Sequence, residues 1–275
     1  MNDDDAVVPP DDVQRAFGAT GSIQRFQSGE GNTFRVGLTV LKPVPDAYEA
    51  EWIGGVLSGV VEHGFRVARP IAATNGSWVF DGWTAWQWVA GESTRTRWDQ
   101  VIAAGEHFHA ALREVPRPDF LDRRSHQWDA GDRAAFGESG IEVPAPIDEE
   151  VARLRAELGR LDLPSQVIHG DLTENVLLAD GLAPAIIDFS PYYRPAGFAG
   201  AVVVVDAIVW LDAPRSLVDL IRPAAARYEL LARALIYRLV AAALPRKRDA
   251  PGLQMQAAAY QPLVDHTVHA LRDGR

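Results

Sequence analysis

The sequence predicts an α+β protein in two lobes, a small β-rich lobe followed by a larger, mainly helical one. Three observations predict it. The first ninety residues carry short runs rich in Val, Thr, Phe and Trp, punctuated by glycine, with one helical stretch among them. After Gly91 the apolar period lengthens to the helical one over most of the remaining chain. The exception is a stretch around residue 170, where two strand-like runs are broken by a histidine, a glycine, a carboxylate and an amide. With 275 residues, 47% of them hydrophobic, the chain can bury a substantial core.

In chain order, "SIQRFQSG" (22–29), "TFRVG" and "LTVLKPV" read as strands separated by a glycine-bearing turn. Residues 46–63 read as a helix, because Trp52, Ile53, Val56, Leu57 and Val60 recur at helical spacing. Asp46 follows a proline and is placed to cap it. "GFRVARPIA" (64–72), "GSWVFDG" (76–82) and "WTAWQWVAG" (83–91) read as further strands. Residues 97–115 form an amphipathic helix, and residues 116–146, rich in Pro, Asp, Arg and Gly, read as an irregular excursion. Residues 147–161 form a helix with acidic residues in its first turn, where the helix dipole favours them. Helices are expected again over 197–212, 215–221, 224–244 and 252–272. The lobes divide into residues 1–89 and 90–275.

The formal net charge of −10 argues against general nucleic-acid binding, which rests on neutralising phosphates with Lys and Arg. The absence of cysteine excludes disulfides, thiolate metal sites and a cysteine nucleophile. The start, "MNDDDAVVPPDD", lacks the basic and apolar regions of a signal peptide. The longest apolar run, 196–211, is broken by Asp206 and is short for a membrane span. These features predict a cytoplasmic protein without a nucleic-acid, membrane or obligate protein partner. Of 27 Lys and Arg residues only Lys42 and Lys247 are lysine. Lys247 lies in the basic cluster "PRKRD", and Lys42 ends an apolar strand.

The stretch "VIHGDLTENVLLADGLAPAIIDFS" (167–190) carries three oxygen-bearing side chains at strand exits, Asp171, Asn175 and Asp188. Polar turns use the same residue types. Here, however, Asp171 and Asn175 share one loop, and Asp188 ends an apolar run a hairpin's length further on. Hard oxygen ligands of this kind suit Mg²⁺, which takes one or two protein groups together with substrate phosphates. A carboxylate on the same loop is placed to orient or deprotonate an attacking hydroxyl.

The arrangement resembles the catalytic core of the protein-kinase-like fold. It is most similar to the aminoglycoside phosphotransferase family of small-molecule kinases. That family's signature is a His-Gly-Asp, an Asn four residues on, and a later Ile-Asp-Phe or Ile-Asp-Trp; residues 169–175 and 187–189 match it. The resemblance implies a bilobal kinase-like fold, ATP or GTP as co-substrate with Mg²⁺, and a small hydroxyl-bearing acceptor. It implies Asp171 as catalytic base and Asn175 and Asp188 as metal ligands. His169 then supports the loop, and Asp206, a carboxylate in an apolar helix, braces it.

The resemblance also implies a lysine on the third strand, where Lys42 stands, paired with a glutamate on the next helix. Glu49 falls within the apolar face of that helix, and Glu51 points nearly the opposite way. A carboxylate inside an apolar face needs a partner, which selects Glu49. The turn "QSGEGNTFR" (27–35), with Ser28, Gly29 and Gly31, is expected over the phosphates, although Phe34 stands where protein kinases have a third glycine. Adenine contacts are expected from Gln87 to Val89 in the connector.

Gly170 replaces the arginine of regulated protein kinases, Ser190 replaces a glycine, and the segment after Asp188 is short. All three favour a constitutively active small-molecule kinase. The alternatives are a catalytically inactive kinase-like protein that binds nucleotide or a partner, and nucleotidyl transfer on the same fold. Candidate acceptor-lining residues are Asp129, Asp132, Tyr192, Tyr193 and Trp210, and acidic residues there would suit an amine-bearing acceptor.

Overall fold

The computed structural model describes residues 7–26, 32–137, 141–244 and 250–274. Ser28, Gly29, Gly31 and Lys247 lie outside the described residues. In chain order the first elements are α1 (Asp11–Ala16), β1 (Ile23–Arg25), β2 (Phe34–Val36), β3 (Thr39–Pro43) and α2 (Ala47–Gly59). Then come β4 (Arg66–Val67), β5 (Pro70–Ile71), β6 (Val79–Phe80), β7 (Trp83–Gln87), α3 (Trp98–Ala111), α4 (Gln127–Ala135) and α5 (Ile147–Glu157). They are followed by β8 (Gln166–His169), β9 (Val176–Leu177), β10 (Ala185–Ile186), β11 (Pro191–Arg194), α6 (Gly197–Trp210), α7 (Arg227–Ala243) and α8 (Ala250–Asp273).

The chain forms two compact units. The first takes the described residues of Met1–Glu92 together with Leu177–Phe189, and the second takes Ser93–Val176 and Ser190–Arg275. The break after residue 92 falls three residues beyond the expected one. The larger difference is residues 177–189, which were expected in the second lobe and pack with the first. They do so because β10 pairs in parallel with β4, Ala185 opposite Arg66 and Ile186 opposite Val67. The Arg66 side chain secures the join by donating to the carbonyls of Ala183 and Ala90 at 2.8 and 3.0 Å.

In the first unit β1, β2, β3, β7 and β5 run side by side in that order, with β6 also paired to β7. The pairing of β2, β3 and β7 is antiparallel and sets Leu41 opposite Phe34 and Ala85. Successive residues face opposite sides of a strand. Leu41 therefore packs inward with Val13, Phe17, Phe34, Val36 and Trp83, and its neighbour Lys42 reaches the other face. Burying each large apolar side chain of such a cluster contributes roughly 1.5–3 kcal/mol. Helix α1, which has no counterpart in the sequence reading, supplies Val13 to this core.

Helix α2 starts as expected at Asp46, whose carboxylate accepts from the amides of Tyr48 and Glu49 at 2.9 and 3.2 Å. It ends at Gly59, four residues short of the expected 63. Arg69 explains the stop: its guanidinium takes the carbonyls of Leu57 and Val60 at 2.8 and 2.9 Å, satisfying the helix end from outside the helix.

In the second unit α7 is the central helix, packed by α4, α5, α6 and α8. Helix α6 is buried on every side from Phe198 to Ala207, which is how a helix apolar all round must sit. Its run of valines favours strands intrinsically, so tertiary burial holds it helical. Strands β8 and β11 form an antiparallel pair, His169 opposite Pro191. Helix α4 corrects the reading of 116–146 as irregular throughout. Its packing residues are small: a Cβ at Gly131 would stand 2.5 Å from the Tyr237 carbonyl oxygen, so glycine lets α4 lie close on α7. Among the described residues no helix is long and apolar enough to cross a membrane.

Candidate active site

The loop after β8 is built from the inside outward. His169 is fully buried at the strand end, and its amide donates to Nε2 of His109 at 3.0 Å. Its own Nδ1 accepts the amides of Asp171 and Ser190 at 3.2 and 3.4 Å. The Gly170 amide adds a bond to the Ser190 carbonyl at 2.9 Å. A Cβ at Gly170 would stand 2.3 Å from Cδ2 of Tyr192, so the loop turns here only with glycine. The result is an Asp171 side chain that emerges 47% exposed from a buried base. His109 is kept neutral, its pKa pushed down to about 3, first by burial and then by the neighbouring His169.

Asn175 closes the loop. Its Nδ2 donates to the Asp171 carbonyl at 2.8 Å and, more weakly, to Asp171 Oδ2 at 3.4 Å. Both bonds tie the Asn175 amide nitrogen to Asp171. Beneath the loop, Thr173 donates to Asp206 Oδ2 at 2.8 Å. Arg238 of α7 grips Asp206 through Nε and Nη2 at 2.8 and 2.5 Å, and its Nη2 also reaches Asp171 Oδ1 at 3.0 Å. Burial pushes the Asp206 carboxyl up, and Arg238 and Thr173 pull it back. Burial works to lower the Arg238 guanidinium, but Asp206, with Tyr237 and Asp171, outweighs it and holds the cation well above its usual value.

The remaining expected residues belong to the first unit. Lys42 Nζ lies 2.6 Å from Asp188 Oδ1. Asp188 has a left-handed backbone, φ +50, which aspartate tolerates better than most residues. The next residue, Phe189, is buried, and its ring packs against Trp52 of α2 at 6.4 Å. Glu49 is half-buried in the first turn of α2. Glu51 is committed elsewhere: it accepts from Ser77 Oγ and from the amides of Trp78 and Val79 at 3.2 and 3.0 Å. At the end of β7 the Gln87 amide is taken by the Arg69 carbonyl at 2.7 Å and the Trp88 amide by Leu38 at 2.9 Å. Val89, half-buried, comes directly after them.

Taken one by one, Asp188 and Asn175 each carry an oxygen of the kind a hard cation takes: in the first unit the exposed carboxylate of Asp188, in the second the amide of Asn175, whose nitrogen is tied to Asp171. Among the described residues no cluster of three or more His, Cys, Asp or Glu is placed to hold a metal ion. A small set of protein oxygens is nonetheless what Mg²⁺ uses beside substrate phosphates.

The candidate acceptor residues mostly have structural partners. Asp132 is paired with Arg194 through two bonds of 2.9 and 2.6 Å. Asp129 caps α4 at the His126 amide, 3.0 Å away. The Tyr192 hydroxyl lies 3.4 Å from that of Tyr237. Trp210 is exposed and donates to the Tyr260 hydroxyl at 3.1 Å. Asp132 is thus neutralised by Arg194, and Asp129 is engaged at the start of its own helix.

Sequence reasoning missed Arg238, Thr173, His109 and Trp128. Trp128 is 38% exposed, its ring 6.1 Å from that of Tyr237, with the Arg238 guanidinium 5.3 Å from its centroid. The signal for Arg238 was faint: a cation inside "LIYRLV" cannot be buried without an anion, but the sequence does not say which.

The fold recurs in solved structures. An aminoglycoside phosphotransferase from Alicyclobacillus acidocaldarius superposes with a TM-score of 0.64 at 16% identity, covering 98% of this chain and 96% of its own. A microcompartment-associated aminopropanol kinase gives 0.62 at 16% identity, covering 95% and 97%. A thermostable mutant of aminoglycoside phosphotransferase APH(4)-Ia, in ternary complex with AMP-PNP and hygromycin B, gives 0.58 at 14% identity, covering 94% and 96%. No curated protein matches in sequence. The fold is thus the one shared by kinase-like phosphotransferases. The phosphotransferase enzyme family matches residues 22–193, more than half of the chain, and the protein belongs to that family.

Proposed function

We propose that the protein transfers the γ-phosphate of ATP or GTP to a hydroxyl of a small molecule, an antibiotic such as an aminoglycoside or a small metabolite. Asp171 orients the acceptor hydroxyl and takes its proton. Lys42, fixed with the help of Glu49, contacts the nucleotide phosphates. The backbone from Gln87 to Val89 holds the base. Asn175 and Asp188 would hold Mg²⁺, which would supply charge neutralisation for the phosphoryl group. His169 and Asp206 keep the loop in place. Positioning and charge neutralisation supply most of the catalysis.

The observation that carries this reading is the Asp171 carboxylate, half exposed on a loop anchored to buried His169 and Asp206. A carboxylate held so firmly yet open to solvent is suited to an incoming hydroxyl. Aminopropanol and hygromycin B, named for the structural neighbours, are the first acceptors to screen.

The test is thermal unfolding with ATP and GTP, with and without Mg²⁺, on the wild type and on Asp188→Asn. At a hundredfold excess over Kd, nucleotide should stabilise the wild type by about 2.7 kcal/mol. The effect should require Mg²⁺ and be lost in the variant. A folded wild type that neither nucleotide stabilises would sink the kinase reading.

A further inference from the structure

We propose that Arg238 is a positioning residue for Asp171, holding through one guanidinium the carboxylate that receives the acceptor's proton. This rests on the kinase reading above. The loop "HGDLTEN" contains no lysine or arginine of its own, so any cation serving Asp171 must come from elsewhere in the chain. Helix α7 supplies it.

The geometry suits positioning. Arg238 Nε and Nη2 both bind Asp206, which fixes the plane of the guanidinium. The Trp128 and Tyr237 rings lie 5.3 and 5.0 Å from its central carbon and confine it further. From that fixed plane Nη2 reaches Asp171 Oδ1 at 3.0 Å, whereas Oδ2 has only the long 3.4 Å contact to Asn175. Oδ1 is therefore the anchored oxygen, and Oδ2 is the one an acceptor hydroxyl can approach. Asp206 reaches the same loop a second time, through Thr173. Thr173, Asp206, Arg238 and Asp171 thus form a ring closed by the loop backbone, in which moving Arg238 must move Asp171. Lysine cannot replace it, because an ammonium is a point charge and not a planar fork.

The experiment measures phosphate release from MgATP, with water as the acceptor, by the full chain. Arg238→Met alone strands the Asp206 carboxylate, so the double variant Arg238→Met/Asp206→Asn removes both buried charges together. Arg238→Lys keeps the charge and loses the two-way bridge. Both should lower kcat, the double variant by about 100-fold, the cost of misplacing a reacting group by about 1 Å. The KM for ATP should stay within about twofold, because neither variant touches the nucleotide side. A role confined to stability would instead lower the unfolding temperature and leave the kcat of the folded protein intact. If the double variant does not fold, Arg238→Lys decides. Wild-type kcat in either folded variant, or a loss confined to KM for ATP, overturns the inference. Wild-type protein that releases no phosphate overturns the kinase reading and this inference with it. The two failures are distinguishable, since one is read on the wild type and the other on the variants beside an active wild type.

Discussion

Lys42 and Asp188 meet at 2.6 Å although 146 residues separate them in the chain. Their side chains are 36% and 56% exposed, and ion pairs in that setting contribute about 0–1 kcal/mol to stability. Either charge can therefore be removed with little loss of fold. Asp188→Asn and Lys42→Met should each change the nucleotide-free unfolding free energy, read from urea denaturation, by no more than about 1 kcal/mol. Lys42→Met should raise the KM for ATP. A large loss of stability in either variant would show that the pair is structural.

Asp171→Asn keeps the size of the side chain and removes its capacity to take a proton. Turnover should fall by about 10²–10⁴, with nucleotide affinity nearly intact. Isothermal titration with a non-hydrolysable nucleotide checks the second half. Lost binding in the folded variant would refute the division of roles between Asp171 and the nucleotide side.

His109 gives the fold a pH dependence with a definite sign. Its folded pKa lies near 3 against the ordinary 6.5, so the unfolded chain binds a proton that the folded chain refuses. The stability this represents is complete above pH 6.5 and is lost progressively as pH falls toward 3. From pH 6.5 to 5 it amounts to about 2 kcal/mol. His109→Gln removes the titrating group and should reduce the loss over that interval by about this amount, read from urea midpoints. Equal losses in variant and wild type would contradict the assignment.

Gly170→Ala places a methyl group against the Tyr192 ring. Overpacking of this kind costs about 1–3 kcal/mol. In a Tyr192→Ala background most of that cost should vanish, and a double-mutant cycle measures the difference. Additive effects would mean that the loop, not the ring, rejects the side chain.

Trp128 presents an aromatic face beside the Arg238 that reaches Asp171. Trp128→Ala should raise the KM for the acceptor, once one is identified, and leave the KM for ATP unchanged. Equal changes in both would remove Trp128 from the acceptor side.

The loop after β8 stood out in the sequence because the signature it resembles sets particular residue types at fixed separations, and those survive in a linear reading. The same holds for Asp46, whose capping bonds reach only two and three residues along the chain. Arg238 was not legible, because its partners Asp206 and Asp171 lie 32 and 67 residues away. In a chain where nearly every basic residue is arginine, one more carried little signal. Helix α4 was missed because its packing depends on small residues such as Gly131, Ala134 and Ala135, which leave no strong apolar period. The end of α2 was misplaced because Arg69, well outside the helix, sets it.

The parallel pairing of β4 with β10 bears on the order in which the chain can fold during synthesis. When residues 1–92 have left the ribosome, Arg66 and Val67 have no strand to join, for Ala185 and Ile186 are still unmade. The first unit is finished only after about half of the second has been translated. A gene fragment cut at residue 92 would accordingly encode β4 without the strand it pairs with, its backbone groups open to other chains.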